Sequence, residues 1–205
     1  MITLDYVVKN TRGVWNLAYT ERDWRDDIDC TTDGVFKSFW AIALSIPFVA
    51  ITFTAVHPTL STAPQFEETV LAQAPVALLM FAELASLVLY WLANVAALVF
   101  TARKINASDK IAHLIVAFNW SRLMGLGAIA IAAFVLGVTA NVSLFVLIYL
   151  PAAFFSLSIL WSVLRKFLPV NIVMTISLIT MLILIEIIID SLITHGLVGL
   201  YQFFS

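Results

Sequence analysis

From residue 38 onward the chain is almost wholly apolar, and only short polar stretches interrupt it. The uninterrupted runs fall at 38–57, 75–101, 111–138, 143–164 and 170–198, and each reaches the ~20 residues that a helix needs to cross a bilayer. Backbone groups in lipid must be satisfied within the segment, so each run is predicted to be a helix. The third run allows two forms: one long helix, or an interfacial piece over 108–121 that leads into a shorter span. Upstream, Leu4, Val7, Val8, Thr11, Val14, Trp15 and Ala18 recur at helical spacing, with Asp5, Lys9, Arg12 and Asn16 on other faces. This pattern predicts a short amphipathic helix, either lying on the inner membrane surface or packed on the bundle. Gly13 within it costs up to ~1 kcal/mol of helix propensity relative to Ala.

The predicted fold class is therefore all-α: a polytopic integral membrane protein with five transmembrane helices preceded by a short amphipathic N-terminal helix. Residues 1–36 form a cytoplasmic amphipathic helix and acidic linker, and residues 37–205 form the five-helix transmembrane domain. Composition agrees. The chain is 62% hydrophobic and only 12% charged, with a mean hydropathy of +1.00. A soluble domain averages about half apolar and a quarter charged. A net charge of −2 offers none of the basic surface that nucleic-acid binding requires. The single cysteine, Cys30, excludes an internal disulfide and a cysteine-based metal cluster. The opening residues lack the uninterrupted apolar core of a signal peptide, so they are expected to stay on the mature chain.

Charge orients the bundle. Of the eleven Lys and Arg residues, Lys9, Arg12, Arg22, Arg25 and Lys37 precede the first span. Arg103, Lys104 and Lys110 lie between spans two and three, and Arg165 and Lys166 between spans four and five. The loops 58–74 and 139–142 and the tail after 198 contain none. Basic loops mark the cytoplasmic side, which predicts a cytoplasmic N-terminus and an outer C-terminus in a bacterial inner membrane. Six of the thirteen acidic residues crowd into 21–34. This stretch departs from a calcium loop, because counting from Asp27 puts Thr32 where the sixth-position glycine belongs. It is expected to be a solvated acidic linker or a partner-docking segment.

Ionisable and amide side chains inside spans are costly unless paired, so they are the candidate site. Glu83, Ser86, Tyr90, Asn94 and Thr101 form one stripe along span two, and Asn171, Thr175, Leu182, Glu186, Asp190 and Thr194 form a second, less pure one along span five. Span three contributes Asn119 and Arg122 within FNWSRLMG. The polar-seam candidates are thus Glu83, Tyr90, Asn94, Asn119, Arg122, Glu186 and Asp190. A rise of 1.5 Å per residue from Ile111 puts Arg122 about 16 Å into the span, close to mid-bilayer. There it is expected to bond Asn94 or Tyr90, or a carboxylate at Glu83 or Glu186, while Asn119 and Asn94 come out at similar depth as a cross-helix pair. Small residues at Gly125, Gly127, Ala128, Ala132, Ala133 and Gly137 predict close helix contact along span three.

The motifs of hydrolases, nucleotide-binding proteins and metalloenzymes are not found, and His57, His113 and His195 are dispersed. Neither an enzymatic activity nor a cofactor is expected. Two segments, DGVFKSFWAIALSIPF (33–48) and IVAFNWSRL (115–123), together with the five-span spacing, resemble a group of uncharacterised small alphaproteobacterial membrane proteins that are Yip1-like in layout. The resemblance implies a cytosolic N-terminal segment, five spans and an outer C-terminus. The DLxGP-type signature of eukaryotic members is not found here. Two functions compete: a non-enzymatic scaffold, assembly factor or accessory subunit of a membrane complex, and a small oligomeric transporter or lipid-handling protein that uses the polar seam. Expected partners are membrane lipids and other membrane subunits or further copies of the chain.

The orientation is directly measurable. With Cys30 replaced by serine, a cysteine placed at position 62 should react with a membrane-impermeant thiol reagent from the outer face. Reaction from the cytoplasmic face alone would overturn the topology.

Overall fold

The computed structural model describes residues 2–20, 22–61 and 74–204, which form helices and their connections without a strand. Among the described residues seven α-helices follow in order: α1 Leu4–Tyr19, α2 Thr32–Ser38, α3 Trp40–Ser61, α4 Val76–Lys104, α5 Ile111–Thr139, α6 Val142–Phe167 and α7 Ile172–Phe204. Five segments, carried by α3 to α7, are long and apolar enough to cross a membrane. Most of the predicted outer loop 58–74 lies outside the described residues, at 62–73.

Local chemistry sets the helix ends. Thr3 caps α1 by accepting the Tyr6 amide at 3.2 Å, and Thr31 caps α2 through the Gly34 amide at 3.0 Å. α5 ends at Ala140 in the left-handed region (φ 50°), and Asn141 caps α6 by accepting the Leu144 amide at 3.0 Å. Of the two forms for the third span, the single helix is found: a 3-10 turn at Ser108–Lys110 leads directly into α5. α4 and α7 also run past the predicted ends at 101 and 198, because nothing in Arg103–Lys104 or Tyr201–Phe204 stops a helix.

α5 is the central helix. It packs most extensively on α6 and on α3, while α4 pairs with α7, and α6 and α7 touch only lightly. Gly125 makes the α5–α6 approach possible, since a Cβ there would come within 2.3 Å of the Ser156 hydroxyl. Along α2 and α3 the register against α5 is set by Ser38 at the end of α2 against Asn119, Phe48 opposite Gly127, and Ala55 opposite Gly137. Arg122 is therefore level with the first turn of α3. The apolar run of α3 over 40–59 spans about 30 Å, one hydrocarbon thickness. Relative to that run, Arg122 sits near its beginning, whereas along α5 itself it lies eleven residues in from Ile111. The physical reason is that the first turns of α5 are sheathed by protein. Leu114, Val116, Ala117 and Phe118 are fully or almost fully buried, with Trp24 packed edge-on against both His113 and Phe167, and Tyr6 against Trp120.

That sheath is the N-terminal segment. α1 lies against α5 and α6 and buries Asn10, Gly13, Val14 and Asn16. The predicted apolar face splits in two: Val14 is fully buried, whereas Leu4, Val8 and Trp15 are exposed. Of the two predicted placements the packing on the bundle is found, along one side of the helix, while an apolar edge faces outward. The acidic stretch is a clasp in part, which corrects its reading as a solvated linker. Asp27 takes Arg12 in two bonds, at 2.7 and 3.2 Å, and the Asn16 amide at 3.3 Å. Asp29 accepts from the Tyr6 hydroxyl at 3.3 Å, and its backbone amide donates to Asn10 at 3.1 Å. The Arg12 guanidinium holds the Asp27 carboxyl below the usual carboxylate range. Burial pushes the half-buried Cys30 thiol up to about 11, so it is not a reactive thiolate.

Gly13 is where α1 meets this clasp. A Cβ there would come within 2.7 Å of the Ile28 side chain and 2.9 Å of the Asp27 Cβ. The glycine that weakens an isolated helix is required by the packing. Gly13→Ala is expected to destabilise the protein by about 1–3 kcal/mol, although Ala is the better helix former by ~1 kcal/mol. Thermal unfolding in detergent would check this, and a raised midpoint would show that the contact yields.

Candidate functional site

α4, α5 and α7 converge on one polar junction. The Arg122 guanidinium on α5 meets the Glu186 carboxylate on α7 at 2.6 Å, with the two side chains 16% and 25% exposed. Asn94 on α4 donates its amide to the same carboxylate oxygen at 3.1 Å. The Tyr90 ring, one turn along α4, lies 5.8 Å from the guanidinium carbon, in cation–π range. Each helix brings its groups by simple periodicity: Tyr90 and Asn94 are four residues apart and share a face. The arginine and glutamate neutralise one another, and the ring and the amide take up part of the remaining desolvation.

A second chain of bonds runs beside the first. The Trp91 indole N–H donates to the Asn119 carbonyl at 2.8 Å, and the Asn119 amide donates to the Ser38 hydroxyl at 2.8 Å. Ser38 in turn donates to the Val35 carbonyl at 2.7 Å. Trp91, Asn119 and Ser38 are all buried, so this chain ties α4 to α5 and to the end of α2. The predicted Asn94–Asn119 pair does not form. The buried Trp91 indole N–H takes the Asn119 carbonyl, while Asn94 turns to the carboxylate.

The remaining candidates lie further along. Glu83 and Asp190 are within electrostatic reach of each other but are not joined to Arg122. Two buried oxygens, the Ser86 hydroxyl and the Asn94 carbonyl, have no hydrogen-bond partner among the described residues. The structure thus brings together Tyr90, Asn94, Arg122 and Glu186, puts Asn119 in a parallel chain, and sets Glu83 and Asp190 apart as a partly buried acidic pair. Trp91 and Ser38 were missed at the sequence level. An indole beside Tyr90 in a polar stripe was the available signal for the first, whereas Ser38 carried none.

Among the described residues, no three His, Cys, Asp or Glu side chains gather as a metal site would require. Compared with models of known protein families, with curated proteins and with solved structures, the chain matches none.

Arg122→Leu leaves Glu186 in an apolar setting without its partner. The expected loss of stability is on the order of 2–3 kcal/mol, below the ~3–5 of a fully buried pair because both groups keep some exposure. The double variant Arg122→Leu/Glu186→Leu should recover at least half of that loss. Detergent unfolding midpoints of the three proteins decide it, and an unaltered midpoint for the single variant would remove the clamp.

Proposed function

We propose that this chain is a non-enzymatic integral membrane protein that serves as a scaffold, assembly factor or accessory subunit of a membrane complex. In this reading it sits in a bacterial inner membrane with a cytoplasmic N-terminus and a Yip1-like layout. One observation carries the proposal: the Arg122–Glu186–Asn94–Tyr90 junction neutralises itself and joins three helices, which is how polar groups stabilise a bundle. The flanks support it. The outward edge of α1 and the faces of α6 and α7 expose large apolar side chains, among them Leu147, Phe154, Val173 and Leu192, over areas that another membrane subunit can cover.

A second reading, a small oligomeric transporter or lipid-handling protein, has its own support. Glu83, within electrostatic reach of Asp190 on α7, shares α4 with the unpartnered Ser86 hydroxyl and Asn94 carbonyl, a composition suited to a hydrated path.

Purification from native membranes in mild detergent, followed by intact-complex mass measurement, separates the two. A second copy or a different membrane subunit at fixed stoichiometry is the expected result. A monomer that retains an ion or small molecule, and loses it in Glu83→Gln, would replace the scaffold with the transporter.

A further inference from the structure

α6 and α7 are joined by a short turn yet pack on each other only lightly, and a groove of about 490 Å³ opens between them. Phe154, Leu157, Trp161, Ile176 and Ile179 make its wall apolar, with Ser158 and Thr180 as its polar members. Arg165 follows Trp161 by four residues and so continues the same stripe of α6 one turn nearer its end. There it lines a cavity of about 290 Å³ together with Lys110, Lys166 and Asn106. Asp109 also lines this cavity and pairs with Lys110 at 3.2 Å, so three cations face one carboxylate and the balance is positive. Arg165 spends one guanidinium N–H on the Val170 carbonyl, which fixes the side chain and leaves its other donors for a ligand.

We propose that this groove and the basic cavity at its end form a binding site for a phospholipid with a net negative headgroup. The headgroup phosphate is held by Arg165, Lys166 and Lys110, and an acyl chain runs along the groove past Trp161. The charge chooses the occupant. A bare apolar partner helix would leave the cations unanswered, and a free phosphate would leave the groove unfilled, whereas an anionic phospholipid answers both. Basic pockets between helices at the lysine-rich end of a membrane protein take such headgroups. The inference does not rest on the proposed scaffold role, because the site lies apart from Arg122, Glu186 and Glu83.

The test uses the full chain in mild detergent, offered phosphatidylglycerol and phosphatidylcholine together, with retained lipid counted by native mass spectrometry. The wild type should prefer phosphatidylglycerol. Lys110→Gln/Lys166→Gln, at two exposed positions that leave the Arg165–Val170 bond intact, should lower that preference roughly 30-fold, about five-fold per charge. Thr180→Phe, which fills the groove, should reduce retention of phosphatidylglycerol. Equal retention of both lipids by the wild type, an unaltered preference in the lysine variant, or full retention in Thr180→Phe would each overturn the site.

Discussion

An arginine within an apolar helix cannot shed its charge, so its burial costs least where a neighbouring helix delivers a carboxylate to it, and here that helix is α7. Its pair partner α4 adds Asn94 and Tyr90 to the same junction. The α4–α7 pair is therefore joined to the group α3–α5–α6 through charge and hydrogen bonds as well as apolar contact. Lipid offers no hydrophobic force between helices, so polar matching of this kind holds the two groups in register, while close packing at Gly125 holds α5 to α6 within one of them.

The N-terminal segment solves a related problem at the end of the bundle. Helix α5 is longer than a hydrocarbon core, and its first turns are as apolar as the rest. Left bare beyond the lipid, Leu114 to Phe118 would meet water. α1, α2 and the acidic stretch cover them, and the Arg12–Asp27 and Tyr6–Asp29 bonds keep the cover closed. The register of α5 against α3 places Arg122 near the start of the apolar run of α3.

The light α6–α7 contact gives the molecule an open side. A bundle whose last helix is tied to α4 by packing and to α5 by an ion pair has little left to hold it against α6. The resulting groove follows from that division of contacts and ends at the chain's own basic turn.

Periodicity and charge made much of this legible from the chain alone. The five apolar runs, the N-terminal amphipathic pattern and the candidate residues in spans two, three and five follow from local chemistry, because each depends only on spacing along one helix. Partner choice was beyond reach. Whether Arg122 took Glu83 or Glu186, and whether Asn119 took Asn94 or Trp91, depends on helix rotation and relative height, which no single helix encodes. Gly13 shows the same division: as a local residue it weakens a helix, and only the approach of Ile28 and Asp27 makes it necessary. The register of Arg122 against α3 is set in the same way, since the sheath over α5 is made by residues some hundred positions earlier, and only the folded chain brings them there.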